Sequence, residues 1–258
     1  MINKAFESLN LTGLAPLLLI CDHASNHVPA ELENLGLTED QLARHIGWDI
    51  GAATITRKLS ETLGAAAILS GTSRLVIDAN RPQDDPSGIP EISDQTVIPG
   101  NQKLSKAEKN RRVEAYFWPY HHAISTEVEQ LSQRNASVPA IFSIHTFTPS
   151  LPSKNEPERP WHAGILWNKD PRIAEPLMAH LRRHPDKFTI GDNEPYSGTE
   201  VYYSVDHNAG DKGLPHAAIE VRQDLVNTPD GAAYWANIIA DCLTEILGNP
   251  EIHQIKRY

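Results

Sequence analysis

The run Leu17-Leu18-Leu19-Ile20-Cys21 carries no polar side chain, and it ends abruptly in Asp22-His23-Ala24-Ser25-Asn26-His27. Such a run fits a strand at the centre of a parallel sheet, buried on both faces and therefore continuously apolar; periodicity alone does not separate it from a short buried helical segment. As a strand it delivers His23 to its carboxyl end, where open α/β sheets bind ligands. A chain built around such a strand must cover both sides of it with helices.

The remaining pattern supplies them. Residues 38–64 read as one helix, opened by the capping box Thr38-Glu39-Asp40-Gln41 and closed by Gly64. Leu42, Ile46 and Ala53 share one face of it, and Asp49 falls on that same face. Residues 65–70 and 74–80 read as strands, and residues 82–101, rich in Pro, Asp and Ser, as a long functional loop. Ser105-Lys106-Ala107-Glu108 has the form of a second capping box, with apolar positions from Val113 to Leu131 repeating at three and four, and Pro119 predicts a kink or break near Trp118. Strands follow over 138–145, 163–167 and 217–222, separated by a polar loop over 150–160, a helix capped by Asp170-Pro171 and a loop-rich stretch over 191–213. Thr228-Pro229-Asp230 opens a last helix that ends near Gly248. The alternation predicts an α/β fold, an open, mostly parallel or mixed sheet with helices on both faces, formed by residues 1–258 as one domain.

A net charge of −10 argues against a nucleic-acid partner, because no basic footprint is present. No stretch approaches the ~20 apolar residues needed to span a bilayer, and no signal peptide is expected at the start. Two cysteines, Cys21 and Cys242, make no disulfide framework and point to a reducing cytoplasm. A monomer or small homo-oligomer is expected.

Four polar residues, His23, Arg81, His145 and Glu220, sit at or near the carboxyl ends of expected strands and so open onto one edge. One histidine there is most often a core residue; two, with an inward Asp49, favour a catalytic metal site with an open position for water. The third ligand is open among Asp49, Asp22, Asn26 and His27; Asp49 is favoured by its buried face, and pairing with Arg44, Arg57 or Arg74 is its alternative. Glu220, in an apolar strand, is either a general base or the partner of Arg222 in a buried salt bridge. Arg81, beside Asn80, offers bidentate recognition of a carboxylate or orders the loop that follows it. His121, beside the Pro119 kink, faces the site or is a solvated helix histidine.

These motifs together resemble the N-formylglutamate amidohydrolase family, similar in turn to zinc carboxypeptidases and succinylglutamate desuccinylases. The resemblance rests on Asp22-His23-Ala24-Ser25-Asn26-His27-Val28-Pro29, Gly47-Trp48-Asp49-Ile50-Gly51, the stretch Ser73 to Pro82, Trp118-Pro119-Tyr120-His121, Ser143-Ile144-His145 and Ile219-Glu220-Val221-Arg222. It implies a zinc-peptidase-related fold and a Zn²⁺-dependent hydrolase of an N-formyl or N-acyl amino acid, a small-molecule substrate of acidic type. By that comparison His23 and His145 match metal-ligand positions, Glu220 matches the base and Asn80-Arg81 the carboxylate clamp, while the third ligand stays open, Asp49 being the choice that its own position favours. Arg74, Ser25 and Tyr196 complete the expected substrate-binding set, with Arg81 and His121 as further catalytic candidates. Relatives with a His-x-x-Glu pattern place a ligand where this chain has Asn26, and the nearer His-Ser-Gly pattern reads His23-Ala24-Ser25 here. A carboxypeptidase-like or other deacylase, and a binding protein that has lost the metal, are the alternative readings.

Overall fold

The structure, a computed structural model, describes residues 5–151 and 157–258. Part of the expected 150–160 loop, and the first residues of the chain, lie outside the described residues. Nine strands are described: β1 (Phe6–Leu9), β2 (Leu17–Cys21), β3 (Ala66–Ser70), β4 (Ile92–Ser93), β5 (Thr96–Val97), β6 (Ala140–Phe147), β7 (Ala163–Leu166), β8 (Ile190–Asp192) and β9 (His216–Arg222). The α-helices among them are α1 (Glu39–Leu42), α2 (Ala52–Leu63), α3 (Lys106–Arg112), α4 (Trp118–Asn135), α5 (Pro171–Arg182), α6 (Tyr203–Asn208) and α7 (Pro229–Leu247).

Seven strands form one sheet in the order β1-β3-β2-β6-β9-β7-β8, and β4 and β5 form a separate hairpin. β3, β2, β6 and β9 run parallel, so their carboxyl ends share one edge. β1 and β7 run antiparallel to their neighbours β3 and β9, which makes the sheet mixed. As the apolar run at 17–21 requires, β2 is buried throughout. Leu17, Leu19 and Cys21 turn towards a cluster with residues of α2, α5 and α7, while Leu18 and Ile20 turn towards α4 and α6.

A third apolar cluster lies apart from those two and includes Val28, Leu42, Ile46, Leu75, Val76, Ile77, Ile98 and Phe117. Its existence corrects two expectations. Residues 74–80 form turns, not a strand; Leu75, Val76 and Ile77 are consecutively buried in this cluster, and the alternation at 75, 77 and 79 was coincidental. The expected helix over 38–64 is two helices, because glycines break it. A Cβ on Gly47 would stand 2.4 Å from the Leu42 carbonyl oxygen. Gly51 has φ +91°, and a Cβ there would lie 2.5 Å from the Val226 oxygen.

The capping expectations fare better. Thr38 closes a reciprocal box with Gln41, Asp170 and Thr228 cap α5 and α7, and Gly64 ends α2 in the left-handed region. Near Trp118, where Pro119 predicts a kink or break, the helical segment changes from a π-helical turn over Val113–Phe117 to α4, and Pro119 sits in the first turn of α4. Among the described residues no helix is long and apolar enough to cross a membrane, and both cysteines are buried free thiols.

Candidate active site

Five chain segments meet at the carboxyl edge of the parallel strands. His23 lies just beyond β2, and its carbonyl accepts from the Asp49 backbone N–H (3.0 Å), which fastens the Gly47-to-Gly51 turn to the strand end. Asp49 therefore reaches the site from a glycine-bounded turn ahead of α2, and not from a helix face as the spacing suggested. His145 on β6 stands in register with Glu220 on β9. The 74–81 turns bring Arg74, Asp78, Asn80 and Arg81 against them.

The side chains of His23, Asp49 and His145 are buried, and one ligand atom of each lies within 4.8 Å of the others. His23 Nδ1 is 3.3 Å and His145 Nδ1 is 2.8 Å from the same oxygen, Asp49 Oδ2. The other ring nitrogens face other acids: His23 Nε2 donates to Asp78 Oδ1 (2.7 Å) and His145 Nε2 to Asp22 Oδ2 (3.1 Å). A carboxylate only accepts, so each Nε2 carries a proton toward its outer acid, and each Nδ1 faces Asp49 Oδ2 as an N–H or, where a cation takes the place of those protons, as an inward lone pair. Two lone pairs and a carboxylate oxygen then converge on one point. Only a cation, or protons in its place, satisfies three converging acceptors, and this outer carboxylate bracing is the usual support of metal-bound histidines.

The charges agree. Asp22, Asp49, Asp78 and Glu220 are buried acids, set against half-buried Arg74 and Arg81. The buried acids outnumber the guanidinium groups, a balance that favours a cation among the three donors. Without a cation the rings take up protons: burial opposes it, but bonds to Asp22 and Asp49 raise His145 well above its ordinary range, and Asp78 and Asp49 raise His23. Burial would likewise raise Asp78, yet Arg74 and His23 hold it well below the usual carboxylate range; Arg74 donates to it at 2.7 Å.

Glu220 is the exception. Its Oε2 is buried with no hydrogen-bond partner among the described residues. Burial, reinforced by Asp49, pushes its carboxyl up to about 7. Arg222, the alternative partner, pairs with Asp224 instead (2.8 Å).

A cavity of about 150 Å³ opens here, and Arg74, Asn80, Arg81, Tyr196 and Glu220 line it together with the three donors. Arg74 is committed to Asp78, with a longer contact of 3.5 Å to Asp49. Asn80 uses its Oδ1 to accept from the Ser204 backbone N–H (3.0 Å), which leaves its amide NH₂ for a ligand. Arg81 donates to the Asn80 carbonyl (3.1 Å). Tyr196 accepts from Arg159 (3.2 Å), whose guanidinium also lies over its ring.

Two expected residues stand outside the lining. Ser25 accepts from the His27 backbone N–H (3.0 Å). His121 is fully buried with both nitrogens engaged, by the Ala79 carbonyl and by Asn208, and burial lowers it to about 4. It is therefore neutral and sealed from substrate, a correction to its expected catalytic place. Asn26 and His27 also lie outside the donor group. Asp22 is buried beneath it, where Tyr120 (2.8 Å) and Ser204 (2.6 Å) donate to it.

The residue that sequence reasoning missed is Asp78. Its signal was an acid four positions after Arg74 inside an apolar stretch. His45, also missed, lines the cavity and lies 3.2 Å from Asp94 of the β4–β5 hairpin.

The sequence model of the N-formylglutamate amidohydrolase family matches residues 15–227, a span that contains His23, Asp49, Asp78, His145 and Glu220. Among solved structures, a gene product of Agrobacterium tumefaciens superposes with a TM-score of 0.89 at 32% identity, covering 95% of each chain. N-formylglutamate amidohydrolase from Ralstonia eutropha JMP134 superposes with a TM-score of 0.71 at 19% identity, over 95% of this chain and 98% of that one, a likeness of fold. Comparison with curated proteins finds no match. By the extent of the sequence match and the similarity to the Agrobacterium structure, the chain belongs to the N-formylglutamate amidohydrolase family.

Proposed function

We propose that the protein is a zinc-dependent amidohydrolase that cleaves the amide bond of an N-formyl or N-acyl acidic amino acid. The observation that carries this reading is the convergence of His23 Nδ1, His145 Nδ1 and Asp49 Oδ2, three acceptors braced from outside by two further carboxylates. These residues would hold one divalent ion, and two imidazoles with one carboxylate suit zinc. When bound, the ion supplies Lewis-acid polarisation of the scissile carbonyl.

The chain's own residues do the rest. Glu220, unpartnered and tuned to about 7, takes a proton from the attacking water and returns it to the leaving amine nitrogen. Its protonated and ionised forms are both accessible near neutral pH, which a two-way proton carrier requires. Arg81, which lines the cavity with Asn80 beside it, holds the substrate carboxylate. Arg74 sets the charge of Asp78 and Asp49 and, already committed, does not bind substrate directly. Tyr196 lines the same cavity. His121 is a positioning residue: through the Ala79 carbonyl it fixes the backbone that leads into Asn80 and Arg81.

The family match from residue 15 to 227, with β1 and α7 packed onto the same sheet, supports one domain over the whole chain. Two free buried thiols support a reducing, cytoplasmic setting. The test is elemental analysis of the purified protein with an assay on N-formyl-L-glutamate. About one zinc per chain, loss of hydrolysis on chelation and recovery with zinc are expected. Full turnover by metal-stripped protein would overturn the reading.

A further inference from the structure

At the amino end of β9, on the edge of the sheet away from the catalytic cavity, a second cavity of about 270 Å³ is lined by Asp206, Gly210, His216, Lys256 and Arg257, among others. Drug-sized ligands occupy roughly 300–1,000 Å³, so this space suits a small metabolite.

His216 is 3% exposed. Its Nδ1 donates to the Leu214 carbonyl (2.7 Å), which can only accept, so the proton of the neutral ring sits on Nδ1. Nε2 then carries a lone pair, and it has no hydrogen-bond partner among the described residues. A buried acceptor left unmatched costs ~1–3 kcal/mol, so its retention needs a reason. Asp206 beside it accepts from the neutral amide of Asn168 (2.7 Å). Burial raises Asp206. Asp170, by contrast, is neutralised by Arg172 (2.6 Å).

The lining therefore offers acceptors and negative charge at His216, Asp206 and Asp211, while Lys169, Lys256 and Arg257 bring positive charge. We propose that this cavity binds a zwitterionic α-amino acid, with its ammonium group on His216 and Asp206 and its carboxylate on Lys256 and Arg257. Gly210 keeps the ammonium seat open: a Cβ there would stand 2.8 Å from Asp206 Oδ1 and 3.6 Å from His216 Cε1. The site sits against the catalytic framework, since Ser204 and Asn208 of the same α6 brace Asp22 and His121. The proposal is independent of the hydrolytic reading.

Calorimetric titration of the full chain with glycine, L-alanine and L-glutamate tests it, with N-acetylglycine and ethylamine as probes lacking the ammonium or the carboxylate. Saturable millimolar binding of the amino acids is expected, with neither control bound. Gly210→Ala and Asp206→Asn should each weaken it roughly tenfold or more while unfolding as cooperatively as the parent. Lys256→Ala, at the cavity mouth, serves if either of those fails to fold. Amino-acid binding untouched by these substitutions would assign it to the catalytic cavity and overturn the proposal. Absence of binding would leave a water-filled space and overturn it equally.

Discussion

Replacing Glu220 by Gln keeps the shape of the side chain and removes its charge, and the structure predicts opposite effects on stability and turnover. In the metal-free protein burial holds the Glu220 carboxyl at about 7, against an ordinary 4.5. A raised value means that the native state keeps the proton longer than the unfolded chain does. Its stabilising contribution is therefore complete below about 4.5 and is lost as pH rises through about 7. At ~1.4 kcal/mol per pH unit, that interval corresponds to ~3 kcal/mol. Glutamine does not ionise and does not suffer this loss.

Chelator-treated Glu220→Gln should therefore be more stable than the parent by about 3 kcal/mol near pH 8 and no more stable near pH 4.5. Urea unfolding at the two pH values, with unchanged slope as the check on two-state behaviour, measures the difference. The same variant loaded with zinc should lose ~10²–10⁴-fold in kcat, the usual contribution of a general base. Equal urea midpoints at every pH would mean that the carboxylate is already satisfied. Undiminished turnover would place the base elsewhere. Either result refutes the chain of reasoning from orphaned oxygen to catalyst.

The other predictions probe the parts around it. Asp78→Asn removes the acceptor that fixes the His23 tautomer, so metal affinity should fall ~10–100-fold in competition with a chromogenic chelator; unchanged affinity would reduce Asp78 to a partner of Arg74. Arg81→Lys keeps the charge but loses the planar fork, and KM for N-formyl-L-glutamate should rise roughly tenfold with kcat nearly unchanged. A fall in kcat at constant KM would contradict a carboxylate clamp. Gly51→Ala forces a side chain into the left-handed region 2.5 Å from the Val226 oxygen, and should cost ~1–3 kcal/mol and weaken metal binding through Asp49. Parent-like unfolding would show that the turn can relax.

Which residues were legible in the sequence follows from how each one meets its local surroundings. His145 and Glu220 are polar where an apolar strand is running, and His23 stands where the apolar run at 17–21 ends abruptly; both signals are visible without knowing the fold. Asp49 was found by the same test but for a wrong local reason. The spacing to Ile46 and Ala53 suggested one helical face, while Gly47 and Gly51 break the helix there and the turn they bound delivers the carboxylate to the same point. The strand centre and the caps were legible because each depends on neighbours within a few positions. The 74–80 segment was not, since its apolar residues answer to a cluster assembled from distant parts of the chain. Asp78 escaped for a sharper reason: with Arg74 four residues earlier it already has a bland explanation, and its second partner, His23, lies 55 positions away. His121 failed in the opposite direction, since its neighbours made it look available although the fold seals it. An acid that braces a donor from behind satisfies its local environment and its distant one together, so sequence reasoning finds the side chains that break rules before it finds the acids that hold them in place.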